Sequence, residues 1–218
     1  MDTATTLVDQ IRRLWFFQSD HHAEMWKNKA GEIGYSPACD HRFQKEVCDY
    51  HCDTCAHKAP TALTDERIKA HLAGKKTLGA YQLREGRAGW LCLDVDANKD
   101  TEQAHHNVKE IVRLLRGKLE RMGLPVSVEF TGNKGFHLWV FCLDGVEAST
   151  LQRLGQWIVN DIAEEHGEYA DTHIEIFPKQ GNPQPYGNLV KVPLGYHLKT
   201  GYRCVFVDEE LKPIADQS

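Results

Sequence analysis

The spacing of apolar residues predicts helices near the start of this 218-residue chain. Residues 4–28 are predicted to form one or two helices, because apolar side chains recur there at helical spacing. These side chains belong to Leu7, Ile11, Leu14 and Trp15. A short helix is predicted in LTDERIKAHLAG, residues 63–74, with Thr64 as its N-cap, acids in its first turn and Gly74 as its stop.

Farther along, segments with strand and helix patterns alternate, which predicts an α/β (α+β) fold. Strands are predicted at 90–96, 126–130, 136–142, 173–177, 188–193 and 203–207. Helices are predicted at 101–122, which Gly123 ends, and at 149–166, which Gly167 ends.

Composition and charge narrow the class of protein. Apolar residues make up 41% of the chain and charged residues 26%, which indicates a folded core. Because the net charge is −5, any binding to nucleic acid needs a local cationic surface. No apolar run is long enough to span a bilayer, and the polar N-terminus does not resemble a signal peptide. We therefore expect a cytoplasmic protein with no membrane partner.

The stretch GWLCLDVDAN, residues 89–98, ends an apolar run with two aspartates one residue apart. Alternation along a strand puts Asp94 and Asp96 on one face and Leu91, Leu93 and Val95 on the face towards the core. Two carboxylates spaced in this way could hold one hard cation such as Mg²⁺. The alternative is an exposed strand end whose aspartates begin a turn.

A second polar stretch, TGNKGFH at residues 131–137, runs directly into an apolar strand. Gly132 and Gly135 allow backbone amides to approach an anion, and Lys134 and His137 add donors. This pattern predicts a phosphate-binding turn. A hairpin turn with a buried, hydrogen-bonded histidine is the alternative.

Two further segments supply charged side chains. In DTHIEIFPKQ, residues 171–180, Glu175 is a third carboxylate on a predicted strand. In GNLVKVPLGYHLKTG, residues 187–201, Lys191, His197 and Lys199 are three basic residues within nine positions. Three acids on strands and two basic clusters predict a cleft with a cation-binding end and an anion-binding end, suited to two-metal displacement at phosphorus.

Four of the seven cysteines lie close together, in the spacing C-x8-C-x3-C-x2-C. They are Cys39, Cys48, Cys52 and Cys55. Four thiolates complete a tetrahedral site, so a structural Zn²⁺ is predicted in a reducing compartment. His41, His51 and His57 are alternative ligands nearby, whereas Cys92, Cys142 and Cys204 lie in strand patterns and are predicted to be buried thiols.

Together these motifs resemble the archaeo-eukaryotic primase superfamily, the primase-polymerases. LCLDVD corresponds to the family's first motif, TGNKGFH to its second, and IEIFPK with NLVKVP to its third. The upstream cysteines and HLAGKKTLGAYQL are most similar to primase domains of TOTE conflict systems and to CRISPR-associated primase-polymerases. The resemblance covers residues 35–213. It departs from the family at Glu175, where aspartate is common, and at Lys191, where arginine is common.

The resemblance implies an RRM-like catalytic core at 61–218, preceded by an N-terminal helical segment at 1–34 and a zinc-binding module at 35–60. It implies that Asp94, Asp96 and Glu175 bind Mg²⁺ or Mn²⁺ for template-directed nucleotidyl transfer. Nucleoside triphosphates and single-stranded or primed DNA are the implied partners, and a fused or associated helicase or nuclease is left open. The implied nucleotide-binding residues are Thr131, Lys134, Gly135, His137 and Lys191, with His197 and Lys199 for triphosphate or template contacts.

Two other classes of function remain open. The same carboxylates could serve a metal-dependent nuclease or phosphodiesterase, which needs no phosphate-binding turn. The chain could also be a catalytically silent module that binds single strands through aromatic residues such as Trp139.

Overall fold

The computed structural model describes residues 6–17, 21–52, 54–179, 188–215 and 217. Within these residues the chain forms mixed α/β structure with two sheets and four helices. In chain order the elements are α1 (Leu7–Trp15), β1 (His22–Lys27), β2 (Ile33–Pro37), α2 (Asp65–Leu72), β3 (Leu78–Tyr81), β4 (Leu83–Arg84), β5 (Arg87–Ala97), α3 (Glu102–Arg121), β6 (Ser127–Phe130), β7 (Gly135–Glu147), α4 (Ala148–His166), β8 (Thr172–Phe177), β9 (Leu189–Lys191) and β10 (Val205–Val207). None of these helices is both long and apolar enough to cross a membrane.

The larger sheet is built around β5 and has the strand order β10-β6-β7-β5-β4. One edge of β5 pairs with β7, and the other edge pairs first with β4 and then, over Cys92–Ala97, with β8. From β5 to β8 the elements follow the order β-α-β-β-α-β, in which the two helices lie against the same side of the sheet.

That side of the sheet forms the first apolar core. Leu91, Leu93 and Val95 of β5 are completely buried there, against Val108 of α3 and Ile158 of α4. Alternation along β5 therefore directs these residues as the sequence predicts, and leaves Asp94 and Asp96 on the opposite side.

The opposite side forms a second core, which joins the larger sheet to α1 and to a smaller sheet. The smaller sheet has the order β2-β1-β3-β9. Trp90 and Trp139 are completely buried against Ile11 and Trp15 of α1, and the Trp90 indole donates a hydrogen bond to the Trp15 carbonyl at 3.2 Å. This second core thus holds the two sheets together.

The predicted helix boundaries are largely confirmed, because the polar caps lie where the sequence suggests. Thr64 accepts a hydrogen bond from the Arg67 amide at the start of α2, and Thr101 accepts one from Ala104 at the start of α3. Gly123, with φ +74°, follows α3 in the left-handed conformation that favours glycine. The six predicted strands also begin and end within a few residues of their predicted positions, except that β7 runs on to Glu147, whereas β1 to β4 were not predicted as strands.

The prediction of helix over residues 4–28 is wrong beyond Trp15. Residues 22–27 form β1, which pairs with β2 on one side and β3 on the other. A segment of six residues has too little periodicity to separate helix from strand, and its partners along the chain decided the outcome. Residues 4, 5 and 18–20 lie outside the described residues. The N-terminal segment at 1–34 is therefore not wholly helical, and its hairpin shares a sheet with β3 and β9 of the predicted core.

Glu24 on β1 links this hairpin to α2 through several basic residues. Its carboxylate forms ion pairs with Arg67 and with Lys76, the latter at 2.9 Å. The neighbouring His22, and then the charges of Lys76 and Arg67, lower the pKa of Glu24 to about 2 although burial opposes ionisation. The carboxylate thus favours the folded state when it is ionised.

We expect Glu24→Gln to lower the free energy of unfolding by about 1 kcal/mol at pH 7. Because the pKa of Glu24 is lower in the folded than in the unfolded state, this contribution is full above about pH 4.5 and is lost as pH falls towards 2. Urea unfolding at pH 7 and pH 3 measures the difference. Glu210→Gln, which removes an exposed ion pair to Lys212, is the control. An equal loss at both pH values would contradict the prediction.

Candidate active site

Asp94 lies at the centre of the acidic site because β5 is paired on both sides. It is directly opposite His137 of β7 and Glu175 of β8, and Asp96 is opposite Gly135. Residues directly opposite in an antiparallel pair point to the same face of the sheet. The pairing thus brings together three carboxylates that the sequence places on two strands about 80 residues apart.

The two aspartates differ in their electrostatic surroundings. Asp94 Oδ1 is buried and has no hydrogen-bond partner among the described residues, although His137 Nε2 lies 3.5 Å away. Burial opposes ionisation of Asp94, but the neighbouring positive charges, that of His137 first and then that of Lys191, together outweigh burial and lower the pKa. Burial, and next the charge of Asp94, raise the pKa of Asp96. The site therefore repels a second negative charge unless a cation is bound.

Position 135 requires glycine because there is no room for a side chain, not because the backbone has an unusual conformation. A Cβ atom at this position would overlap the Asp96 carboxylate and lie 2.7 Å from the Val95 carbonyl oxygen. The Gly135 carbonyl accepts hydrogen bonds from the amide and the hydroxyl of Thr131, at 3.0 and 3.1 Å. These hydrogen bonds thus hold the turn that is predicted to bind phosphate next to Asp96.

His137 is held by a buried carboxylate that the sequence analysis missed. Glu129 of β6 is completely buried and accepts hydrogen bonds from His137 Nδ1 at 2.9 Å and Trp139 Nε1 at 3.1 Å. Burial of His137 opposes its charged form, but the carboxylates of Asp94 and Glu129 raise its pKa to about 10. Nε2 of the ring therefore carries a proton at pH 7. The signal in the sequence is a lone glutamate inside the apolar strand SVEF.

The acids open onto a cleft of about 590 Å³ between the two sheets, which we call the catalytic cleft. The predicted site residues that line it are Asp94, Asp96, Thr131, Lys134, His137, Glu175, Lys191, His197 and Lys199. Among the predicted residues of the catalytic and nucleotide-binding set, Gly135 alone is not in the described lining. The structure therefore brings nearly the whole predicted set into one space.

The basic residues of the cleft are held by hydrogen bonds of the main chain and of side chains. Lys191 donates to the Thr131 carbonyl oxygen and to Cys204 Sγ, both at 2.8 Å. The Thr200 hydroxyl donates to the Gly132 carbonyl oxygen at 2.6 Å and lies 3.2 Å from His197 Nδ1. Burial and then the charges of two lysines, Lys191 and Lys199, lower the pKa of His197. Like charges crowded in this way favour an anion between them.

A family model described as the archaeo-eukaryotic primase domain of TOTE conflict systems matches residues 7–218. The chain belongs to this family. The resemblance seen in the motifs is thus confirmed, and membership supports nucleotidyl transfer at the level of the family.

Among solved structures, the polymerase domain of Ligase D from Mycobacterium tuberculosis, in complex with DNA, is similar at 15% identity with a TM-score of 0.45. The similarity covers 86% of this chain and 82% of that one. No curated protein sequence matches the chain significantly.

The β1–β2 hairpin forms one wall of the cleft in this primase domain. This wall was missed from the sequence because a helix was predicted over residues 4–28. Met25, Ile33 and Tyr35 line the cleft from the hairpin. Burial raises the pKa of Tyr35, so its hydroxyl stays protonated. The missed signal was two short strand-like segments around a polar turn that contains glycine. Asn133, Tyr196 and Leu198 also line the cleft and were not predicted.

Of Glu175 and the nearby Asp171, only Glu175 is in the described lining of the cleft. Asp171 has a left-handed backbone, with φ +58°, and pairs with Lys99 at 2.9 Å outside the catalytic cleft. Glu175 lines the cleft opposite Asp94, although Lys179 Nζ donates to its Oε1 at 2.6 Å. A cation at the site would compete with Lys179 for that carboxylate.

The chemistry of the acidic site fits a hard divalent cation, although the geometry does not by itself define one. Among the described residues, no three His, Cys, Asp or Glu side chains are grouped closely enough to hold a metal ion. The fit rests on the buried Asp94 Oδ1 without a hydrogen-bond partner and on the raised pKa of Asp96. Oxygen ligands of this kind suit Mg²⁺ or Mn²⁺. The metal assignments therefore stay predictions.

The four cysteines predicted to bind zinc line one small cavity of about 40 Å³. His41 and His57 also line this cavity, and His41 Nδ1 is 2.9 Å from the His57 carbonyl oxygen. The His57 amide donates a hydrogen bond to Cys55 Sγ at 3.3 Å, as thiolate ligands commonly accept. Sulfur donors suit Zn²⁺, but no three of the described Cys and His side chains lie close enough together to hold an ion, so the zinc site stays a prediction. Elsewhere, Cys92 and Cys204 are buried as predicted, and Cys142 is half-buried.

Proposed function

We propose that the protein is a DNA-dependent primase-polymerase that joins nucleotides to a 3′-hydroxyl under the direction of a template. The observation that supports this most is the strand pairing that puts Asp94, Asp96 and Glu175 in one cleft with Lys134 and Lys191. The β-α-β-β-α-β order, with both helices on one side, supports an RRM-like catalytic core. Single-stranded or primed DNA and nucleoside triphosphates are the partners in this proposal.

In the proposed mechanism the acidic side chains hold the metal ions and the basic ones orient the nucleotide. Asp94, Asp96 and Glu175 would bind Mg²⁺ or Mn²⁺. Bound there, the ions would lower the pKa of the attacking hydroxyl and stabilise the leaving oxygens. Asp94 has Asp96 two residues along β5 and Glu175 directly opposite on β8, so it is the central one of the three acids that would hold the ions.

His137 acts in this mechanism as a charged donor to the triphosphate. With a pKa of about 10 it is protonated at pH 7, and Glu129 holds Nδ1, so Nε2–H is directed towards the acidic face. Lys134, Lys191 and Lys199 would supply positive charge for the phosphates or the template, and His197 would contribute a hydrogen bond. The protein thus contributes positioning and charge, which is what phosphoryl transfer needs most.

One experiment separates this proposal from its two alternatives. The protein is incubated with Mn²⁺, labelled nucleotides and a primed DNA template. Extension of the primer supports the primase-polymerase, and degradation supports a nuclease or phosphodiesterase. A shift in electrophoretic mobility without chemistry supports a silent binding module. The turn at 131–137 favours the first outcome, because a nuclease needs no site for the triphosphate of an incoming nucleotide.

We expect His137→Ala to raise the KM for nucleotide by about 10- to 100-fold while the affinity for template changes little. The reason is that the lost donor addresses the triphosphate. Steady-state extension assays and template titrations measure the two effects separately. Lys134→Ala should act in the same direction more weakly, because a flexible ammonium is exposed to solvent and partly replaceable. Unchanged KM in both variants would refute the role of the phosphate-binding turn.

We also propose that Cys39, Cys48, Cys52 and Cys55 bind a structural Zn²⁺ that supports the start of new chains. The module at 35–60 is too short to form a core of its own, so metal binding would supply much of its folding free energy. Starting a chain is harder than extending one, because two nucleotides must be held without a primer. Because the four cysteines lie N-terminal to all the catalytic motifs, the zinc site can be lost without removal of any of the three acids. The start of new chains can then be lost while primer extension is kept.

A Cys52→Ser/Cys55→Ser variant is expected to lose zinc and primer synthesis de novo while it retains primer extension. Metal analysis and parallel assays of the two activities test this. Cys142→Ser, outside the cysteine cavity, is the control. Equal loss of both activities with a lower melting temperature would instead indicate that zinc stabilises the whole fold.

A further inference from the structure

Two aromatic side chains in the cysteine-rich module at 35–60 are strongly exposed to solvent. Phe43 is 61% exposed and Tyr50 is 64% exposed. Their ring centroids are 6.2 Å apart, and the ring planes are inclined at 52°. Exposed apolar residues scattered singly need no explanation, whereas two exposed rings side by side form a small apolar patch.

The backbone at both residues is in the left-handed region. Phe43 has φ +66° and Tyr50 has φ +63°, a conformation that bulky residues rarely adopt. Strain of this kind persists only where the surrounding structure imposes it, and it is concentrated at functional sites. Burial of the rings cannot account for the strain here, since both rings project into solvent.

Positive charge lies beside the rings. The Arg42 guanidinium is 4.7 Å from the centre of the Phe43 ring. Neither Arg42 nor Lys45 takes part in an ion pair within the described part of the chain, so both charges are available to an anion. Of the nearby acids, Asp40 accepts a hydrogen bond from the Thr61 hydroxyl and Asp49 accepts one from the His51 amide, whereas Glu46 is exposed beside Lys45.

We propose that Arg42, Phe43 and Tyr50 form a stacking platform for unpaired bases of a single-stranded nucleic acid. Aromatic rings and guanidinium planes both stack on bases, and every base has a face to offer, so such a platform binds without sequence preference. Phosphates beside the stacked bases match the unpaired charges of Arg42 and Lys45. The platform gives the module a role in holding template, which rests on the proposed polymerase function.

The position of the platform suits a strand that enters the catalytic cleft. Tyr35 of β2 lines the cleft, and Arg42 follows seven residues later. A fully extended chain of seven residues spans about 24 Å, so the platform lies within that distance of the cleft wall. A single strand of several nucleotides is long enough to cover this distance.

The test measures binding of a fluorescent oligothymidine of about 12 nucleotides by anisotropy at several salt concentrations. The protein is the zinc-loaded full chain with Asp94→Ala, which prevents chemistry. Phe43→Ala/Tyr50→Ala is expected to weaken binding about 10- to 100-fold at every salt concentration. Because rings release no counterions, the slope of log K against log[salt] should not change. Arg42→Ala should make that slope shallower by about one.

Two further variants make the outcome specific. Trp157→Ala removes an exposed ring on α4 that also has a cation over it, Lys118 at 5.2 Å, and should leave binding unchanged. Phe43→Leu/Tyr50→Leu keeps apolar surface but removes ring faces, and should weaken binding as alanine does. Zinc content and melting temperature check that each variant is folded. If the alanine pair loses zinc, the test rests on the leucine pair, which should bind weakly, and on Tyr50→Phe, which should bind normally.

Unchanged oligothymidine affinity in the folded variants would overturn the platform, and so would an equal loss in Trp157→Ala. Retention by the leucine pair would also overturn it, because it would indicate a general apolar contact such as a protein partner makes. The proposed function is tested separately by primer extension with the Asp94-containing protein. If the protein extends primers but the ring variants bind oligothymidine normally, only the platform is refuted. If the protein does not extend primers but binding depends on the rings, only the polymerase function is refuted.

Discussion

Asp94→Ala and Asp96→Ala are each expected to reduce nucleotide incorporation by at least about 10³-fold, yet to change stability in opposite directions. Removal of Asp96 relieves repulsion, because burial and Asp94 raise its pKa and its charge opposes folding at neutral pH. Removal of Asp94 leaves the buried His137 without one of its two carboxylate partners. Thermal unfolding without added Mg²⁺ or Mn²⁺ should therefore show a higher melting temperature for the first variant and a lower one for the second.

Asp171→Ala is the matched control for activity. Asp171 is close in sequence to Glu175, but it pairs with Lys99 outside the catalytic cleft. Its removal should leave primer extension nearly normal, whereas Glu175→Ala should abolish it. Near-normal extension by either aspartate variant would contradict the metal assignment. If Glu175→Ala were active and Asp171→Ala inactive, the third acid would have been wrongly chosen.

Glu129→Ala is expected to be the most destabilising single change in the site, at about 3–5 kcal/mol. It leaves the buried donors His137 Nδ1–H and Trp139 Nε1–H without an acceptor and removes a charge paired with His137. For a chain of this length the melting temperature should fall by about 10 °C. Glu129→Gln keeps one acceptor and should cost less. A melting temperature unchanged in Glu129→Ala would contradict this account of the network.

A double-mutant cycle separates positioning of His137 from general stability. Glu129→Gln is expected to raise the KM for nucleotide in the wild-type background, because it loosens the ring that addresses the triphosphate. In the His137→Ala background the same change should have no further effect on KM, since the ring is already gone. Additive effects on KM would mean that Glu129 acts on the site by another route.

The sequence by itself determined the local features of this protein. Strand alternation separated the buried Leu93 from Asp94 beside it, and the order of residues in TGNKGFH put His137 on the inner face of β7. Thr64, the predicted N-cap, lies at the start of α2. These predictions succeeded because each depends only on neighbours within a few positions, where the periods of 2 and 3.6 residues hold.

The tertiary structure alone decided which of these local elements meet. Residues 22–27 became a strand only because β2 and β3 supply hydrogen bonds on either side, and the hairpin then brought Tyr35 to the cleft. Glu129 became a partner of His137 because β6 pairs with β7 in a register that sets the two residues opposite each other. Pairing between distant segments depends on the free energy of the whole packed chain, which no local pattern of residues records.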